Sequence, residues 1–391
     1  LRVCNLSYLQ TDWYIDQMKR PAYDSPSLPI SWPRLEYVSG TNEAIMVLPG
    51  ILEDLIKDLT NKGYSEADIH KLFGGNPYEL RNIIDKGILN KDPEVANLKR
   101  TLQQDAEAQM ANCERQMQDA IQKGNEEYAK YYQQMFELYR FRSKYIDGPI
   151  FPTENLQITV DKKAVVKSGM KIPGGGIGNI PDVMNISLAK HNAVYKSELM
   201  MLEMLANANW VRPMYVAVTV GESAYGSLGD NFIQEGLVYR ITPFPTKGNV
   251  CDTDKMYDNI MHKFKFGGIE KPGLYLDETV MRMCWTHRRM FSLLVNELIE
   301  EGKMKRALEV LKYAEKMVPA ASVPHSISSG SNELAEGWAV LGQYDKAIQI
   351  TDELKKSGMQ YLNWYAYATQ TGKRPLNYTL SYRDGIRPLT S

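Results

Sequence analysis

A chain of 391 residues is long enough for two or three domains, each with a core of its own. Its hydrophobic share of 43% and charged share of 24% are those of a folded protein, and a formal net charge of −1 offers no basic face for nucleic acid. No run approaches the ~18 apolar residues of a membrane span, and no secretory signal opens the chain. The cysteines Cys4, Cys113, Cys251 and Cys284 are far apart and form neither a CxxC nor a Cys/His cluster. Zinc, redox chemistry and a bound cofactor therefore have no motif here; isolated buried thiols are expected, and one disulfide stays open in an oxidising compartment.

In chain order, residues 1–19 read as a strand running into a short helix, with Ser7 or Thr11 as cap. A chain that opens inside a strand, with no initiator Met, reads as a piece of a longer protein. Pro21, Pro26, Pro29 and Pro33 then mark an extended connector, because proline lacks the donor that a helix or ladder needs. From 44 to 89 the pattern is helical: Leu52, Leu55, Ile56 and Leu59 share a face, and Ser65 is placed to cap a helix beginning at Glu66.

Between 93 and 145, Val95, Leu98, Leu102, Ala106, Met110, Cys113, Met117 and Ile121 recur in steps of three and four. Gly124-Asn125 interrupts the stripe, and Tyr128, Tyr131, Met135, Leu138 and Tyr145 resume it. This predicts an antiparallel helical hairpin, held by a packing stripe or serving as a partner-binding arm. Beyond Gly148-Pro149 strands are expected at 156–160 and 164–166, a helix at 197–209, and strands at 214–220 and 237–241. Such an order suggests a small α/β layer able to recruit the opening strand.

From 276 the chain is helical nearly to its end. Phe291, Leu294, Leu298, Gly302, Ala307, Leu311, Ala314 and Pro319 have the spacing of a tetratricopeptide-type repeat. A second copy places Leu334, Trp338, Gly342, Ala347 and Leu354 at matching positions, with extra residues in the loop 320–330. The fold class is thus α+β (mixed). An α/β domain spans 1–275, with an inserted helical segment at about 44–146 (hairpin 93–146), and a tetratricopeptide-like all-α domain spans 276–391.

Few motifs carry chemistry. The run Gly174-Gly175-Gly176-Ile177-Gly178 lacks the strand before it and the helix after it that a phosphate cradle needs, so it reads as a loop. Gly221-Glu222-Ser223-Ala224-Tyr225-Gly226 follows a strand, but a nucleophile elbow requires glycine where Tyr225 stands. Glu222, Ser223 and Tyr225 remain a candidate polar site at a strand end, with a hydrolase centred on Ser223 as the remote reading. The five histidines never pair at metal spacing, and His287-Arg288-Arg289 reads as a solvated face or an anion contact. Asn5, Tyr8, Asp12 and Trp13 are denser in polar and aromatic groups than a core strand requires. A sugar or lipid headgroup fits them, Trp13 stacking and Asp12 accepting hydroxyls; a capped strand–helix junction is the plainer account.

The opening run Val3-Cys4-Asn5-Leu6-Ser7-Tyr8-Leu9-Gln10-Thr11-Asp12-Trp13-Tyr14-Ile15 resembles the segment after the membrane spans in a Bacteroidetes family of multi-span proteins. That family is itself similar to protein O-mannosyltransferases of the GT-C class. Ile150-Phe151-Pro152-Thr153, Ile158-Thr159-Val160-Asp161-Lys162, Asn209-Trp210-Val211-Arg212-Pro213-Met214-Tyr215 and Gln234-Glu235-Gly236-Leu237-Val238-Tyr239-Arg240 support the resemblance, as do the terminal repeats; the 93–145 hairpin does not. The resemblance implies an amino-terminal membrane region and a soluble periplasmic part at the inner membrane. In GT-C enzymes the catalytic acid lies in a loop between membrane helices, so no residue here inherits it. The expected role is a non-catalytic accessory domain that binds acceptor protein, glycan or lipid-linked sugar beside its own membrane region. The alternative is a structural scaffold of a periplasmic complex.

Overall fold

A computed structural model describes residues 2–31, 45–85, 93–146, 150–189, 191–221, 224–246, 250–271 and 273–371. The chain separates into two compact units. The first comprises Leu1–Met214, Thr219–Asn231 and Ile241–Pro245; the second comprises Tyr215–Val218, Phe232–Arg240 and Thr246–Ser391. The class is α+β, with the carboxy-terminal region entirely helical.

The first unit opens with a correction. Residues 2–6 form no strand; Ser7–Gln10 is a 3-10 turn that leads into α1 (Asp12–Met18). Residues 2–6 alternate between half-buried and exposed without strand pairing among the described residues, and the burial that anchors the segment belongs to Leu9, Tyr14, Ile15 and Met18 in the turn and helix that follow. Thr11 occupies the cap position, yet its hydroxyl donates back to the Tyr8 carbonyl (2.7 Å) and caps nothing.

The 44–89 stretch, expected to be helical throughout, begins with strand β1 (Ile45–Val47). Helices α2 (Ile51–Asn61), α3 (Glu66–Phe73) and α4 (Leu80–Asp85) follow. Ser65 caps α3 as its sequence predicts: Asp68 N–H donates to the Ser65 hydroxyl (3.2 Å), and the Asp68 carboxylate accepts from Ser65 N–H (3.2 Å). The hairpin is present as α5 (Pro93–Gln122) and α6 (Glu126–Ile146). Strand β2 (Ile150–Phe151) then pairs parallel with β1, so the whole helical segment is inserted between two neighbouring strands.

Within the hairpin the covered positions on α5 are Gln103, Ala106, Met110, Cys113, Met117 and Ala120, a strict three–four alternation with its most buried members small. On α6, among the described residues, they are Ala129, Tyr132, Met135, Phe136, Leu138, Tyr139 and Ser143. Gln103 donates to the Ser143 hydroxyl (2.7 Å), each twenty residues from Lys123, which fixes the antiparallel register. Met135 and Leu138 of the expected stripe are half-buried, whereas its first members on α6, Tyr128 and Tyr131, and Ile121 at the end of α5 lie exposed. The covered face of α6 is wider than one stripe and starts past Tyr131 on the expected side.

Strand β3 (Asn155–Thr159) pairs antiparallel with β4 (Val183–Ser187) as a two-stranded sheet, from Asn155↔Ser187 to Thr159↔Val183. The strand expected at 164–166 is instead α7 (Lys162–Lys167), because the Asp161 side chain accepts from Ala164 N–H (3.0 Å) and starts a helix there. Strand β5 (Ala193–Val194) joins β1, completing the order β2-β1-β5.

Helix α8 (Lys196–Ala208) is the centre of this unit, with ten of thirteen residues buried, as in a helix enclosed on all sides. Its polar exceptions are tied to other segments. Glu203 accepts from the Ser31 hydroxyl (2.8 Å), and Arg81 donates to the Ala206 carbonyl (2.6 Å). Asn209 and Trp210 both have positive φ just past its end (48° and 60°), and the buried Trp210 indole donates to the Thr159 carbonyl (3.0 Å). The strain of two left-handed non-glycine residues is offset where the indole fills the core and keeps its hydrogen bond.

The second unit holds the sheet β6-β8-β7, built from β6 (Tyr215–Ala217), β7 (Phe232–Gln234) and β8 (Val238–Ile241). Its buried polar network explains the 234–240 block. Glu235 receives Arg240 (3.3 Å) and Lys255 (2.8 Å), Lys255 also reaches Asp252 (3.3 Å), and Arg240 lies over the Tyr215 ring (5.8 Å). After α9 (Thr253–Asp258), the described residues form the α-helices α10 (Glu278–Glu300), α11 (Met304–Met317), α12 (Ser331–Val340) and α13 (Tyr344–Gln370).

The repeat spacing is physically real. Phe291, Leu294, Leu298, Ala307, Leu311, Ala314, Leu334, Trp338, Ala347 and Leu354 all belong to one buried cluster. Gly302 and Gly342 turn the chain between paired helices at φ +73° and +75°. A Cβ on Gly337 would sit 2.7 Å from Val295 Cγ1, so α12 approaches α10 at a distance that only glycine allows.

The solvated face expected at His287-Arg288-Arg289 is corrected at its middle residue. Arg288 is 1% exposed and donates to the carbonyls of Val318 (3.1 Å), Pro324 (3.1 Å) and Val323, and toward the Ser329 (3.3 Å) and Ser331 (3.4 Å) hydroxyls. Burial lowers its pKa to about 10, leaving it charged at neutral pH. The extra residues between the repeats thus close around a buried guanidinium. A helical face whose partner is a loop thirty to forty residues away gives no local sign of that burial.

Candidate functional site

The opening run supplies the better-formed candidate. The 3-10 turn packs on α8, and Leu9 and Ile15 are completely buried. Asn5 acts as a turn residue: its side-chain oxygen accepts from Tyr8 N–H (3.2 Å), and its own N–H donates to the Tyr14 hydroxyl (2.8 Å). Cys4 is hydrogen-bonded to Tyr14 as well, and burial pushes its thiol up, so it stays protonated at neutral pH. Burial raises the Tyr14 hydroxyl likewise.

The apolar requirement of this segment is met by Leu9, Tyr14, Ile15 and Met18, yet Tyr8 and Trp13 remain 51% and 59% exposed. They are not scattered. Their ring centroids are 5.8 Å apart, and Tyr14 meets both edge-on, at 5.7 Å from Tyr8 and 5.5 Å from Trp13. Beside them Asp12, in the first turn of α1, is paired with Lys196 from the first turn of α8. The Lys196 side chain is 3% exposed and the Asp12 side chain 27%. A buried ammonium is tolerable only beside a carboxylate, so Asp12 holds the lysine's charge inside the unit while part of its own surface faces solvent.

The second candidate is partly outside the described residues: Glu222 and Ser223 both are. Tyr225 is described, and with Gly226 and Leu228 it lines a cavity of about 20 Å³ together with Ile186, Leu188, His191, Val194, Glu198, Met201 and Leu202. That volume accepts one water-sized group. His191 Nδ1 lies 3.9 Å from Glu198, whose other oxygen accepts from Tyr195 N–H (3.0 Å) at the start of α8. A Cβ on Gly226 would come within 3.0 Å of the His191 ring.

Both candidates therefore meet the first turn of α8, through Lys196 and Glu198. Two positions apart on a helix is about 200° of rotation, so they flank that turn on different sides and share no pocket. Lys196, His191, Glu198 and Tyr14 are the participants that sequence reasoning missed. Lys196 carried one faint signal, as a lysine opening a methionine- and leucine-rich helix. Its partner is 184 residues away. Gly174–Gly178 is an exposed loop containing a short 3-10 turn.

Among the described residues, no group of three His, Cys, Asp or Glu is placed to hold a metal ion, and no helix is long and apolar enough to cross a membrane. Among the described residues the four cysteines form no disulfide. No match is found among curated proteins or among solved structures. The model of the family described as TMEM260-associated domain 2 matches residues 1–263, taking in the opening run, the hairpin and the α8 core and ending before the helical repeats. With two thirds of its length matched, the chain belongs to the TMEM260-associated domain 2 family.

Proposed function

We propose that this chain is a non-catalytic accessory domain of a membrane-embedded, glycosyltransferase-like protein, and that it binds the acceptor protein, a glycan or a lipid-linked sugar. The observation that carries the reading is family membership: the family is named for its association with TMEM260, a predicted O-mannosyltransferase. The resemblance of the opening run to the segment after the membrane spans of O-mannosyltransferase-like proteins of Bacteroidetes points the same way. On this reading the chain lies on the periplasmic side of the inner membrane, next to its own amino-terminal membrane region. The exposed Tyr8–Trp13 pair gives it a surface suited to a ligand with a flat apolar face.

Deleting 276–367 from the full-length protein tests the proposal. Transfer of sugar to acceptor is expected to fall strongly while the remaining protein stays in the membrane fraction; unchanged transfer would count against the reading.

A scaffold in a periplasmic complex is the second reading. It is favoured by the α5–α6 hairpin, whose outer faces are exposed over most of its described length, and by the helical repeats. Capture of a stable partner, with glycosylation untouched by the same deletion, would select it.

A further inference from the structure

Resting on the binding role proposed above, we propose that Tyr8 and Trp13, seated on Tyr14 and bordered by the Asp12–Lys196 pair, form a stacking subsite for a neutral saccharide. A single exposed aromatic ring needs no explanation, but two in contact, their planes tilted by 51° and each meeting Tyr14 edge-on, form an ordered apolar surface at little entropic cost on binding. A sugar ring offers such a surface the aliphatic face of its C–H bonds and turns its hydroxyls outward.

Hydroxyls need acceptors at the rim. Asp12 is at hand, held in place by its pairing with Lys196 and still partly open to solvent. The same pairing selects against an anionic ligand. Lys196 is the cation at this rim, it is 4% exposed, and its charge is committed to Asp12. A phosphate would therefore face a carboxylate with no free ammonium to meet it. Arg2 is directed to the backbone carbonyls of Arg20 (3.0 Å) and Gln17 (3.2 Å) at the end of α1, and Lys19 and Arg20 stand past that end, whereas Asp12 is in the first turn. The recognised class is thus uncharged and polyhydroxylic.

The test follows the six tryptophan indole N–H signals of the full chain by NMR, with Trp13 assigned from Trp13→Phe. Neutral trisaccharides of glucose, mannose and N-acetylglucosamine are each added to about 10 mM, enough to load a site of ~1 mM Kd. At least one is expected to shift the Trp13 signal. Trp13→Ala should weaken binding at least ~10-fold, as loss of a stacking ring does, with the other five signals in place. Asp12→Asn should weaken it severalfold, and Tyr275→Ala, a ring exposed elsewhere, should leave it unchanged. No Trp13 shift with any of the three sugars, or tighter binding of glucose 6-phosphate than of glucose, would overturn the subsite. Either result would leave the accessory-domain reading to the deletion test, while saccharide binding alongside unchanged transfer in the deletion would sink that reading alone.

Discussion

The α5–α6 hairpin and the α10–α13 array are both made of antiparallel helices that meet through small side chains, yet they live in different surroundings. The hairpin buries Ala106, Cys113 and Ala120 along one seam and leaves its other faces to water. The array buries the same kind of residue, Ala307, Ala314 and Ala347, inside a continuous cluster that also takes in Phe266, Phe291 and Trp338. Period and small-residue spacing are alike in both. What separates them is how many further elements cover each helix, which the helix's own sequence states only weakly. Stability should follow coverage: the hairpin should open locally, at a free energy well below that of the array.

The largest expected effect comes from breaking the array at its buried cation. Arg288→Met removes a guanidinium from a loop that encloses it with carbonyls and hydroxyls, leaving those acceptors buried without donors. Destabilisation of ~3–5 kcal/mol is expected, read as a lower denaturant midpoint for the carboxy-terminal unit. An effect below about 1 kcal/mol would show that the loop closes without its cation.

A smaller effect belongs to pH. Burial, and then the neighbouring Arg288 charge, lower the His325 pKa from 6.5 to about 4, and its Nδ1 lies 2.8 Å from the Ser331 hydroxyl. The unfolded chain therefore binds a proton that the folded chain refuses across the window from about 6.5 down to about 4. Stability rises with pH through that window, is complete above it and is lost as the solution is acidified toward its lower end. Denaturation midpoints of the wild type and of His325→Gln between pH 7 and pH 4.5 check this: the variant should lose part of the acid slope. Identical slopes would remove His325 from the account.

The smallest effect should come from the hairpin. Tyr128→Ser with Tyr131→Ser alters exposed rings that meet the ring of Tyr132 and should change stability by no more than ~0.5 kcal/mol per site. Hydrogen exchange should show α5 and α6 amides opening before those of α10 and α11. Equal protection would mean that the hairpin is covered as thoroughly as the array.

Several features were legible in the residues alone because their causes are local. The Ser65 capping box, the break at Gly124-Asn125, the two repeat turns at Gly302 and Gly342 and the start of α8 all depend on side chains within one turn of the backbone they control. The misreadings share the opposite property. Residues 2–6 alternate like a strand but pair with no strand among the described residues, and Val165-Val166 yield to the Asp161 cap. Of the candidate site, Tyr8, Asp12 and Trp13 stood out by composition, whereas Lys196, which orients Asp12, belongs to a helix far along the chain.

By itself the sequence determined the Ser65 cap, the glycines that turn the chain and which positions of the repeats go inside, because hydrophobic period and capping chemistry act over a few residues. Tertiary structure alone decided that Tyr128 and Tyr131 stay outside the α6 seam, that Arg288 is interior, and that Asp12 meets Lys196. Each of those outcomes is a choice among partners distant in sequence, made by the free energy of burying one surface rather than another.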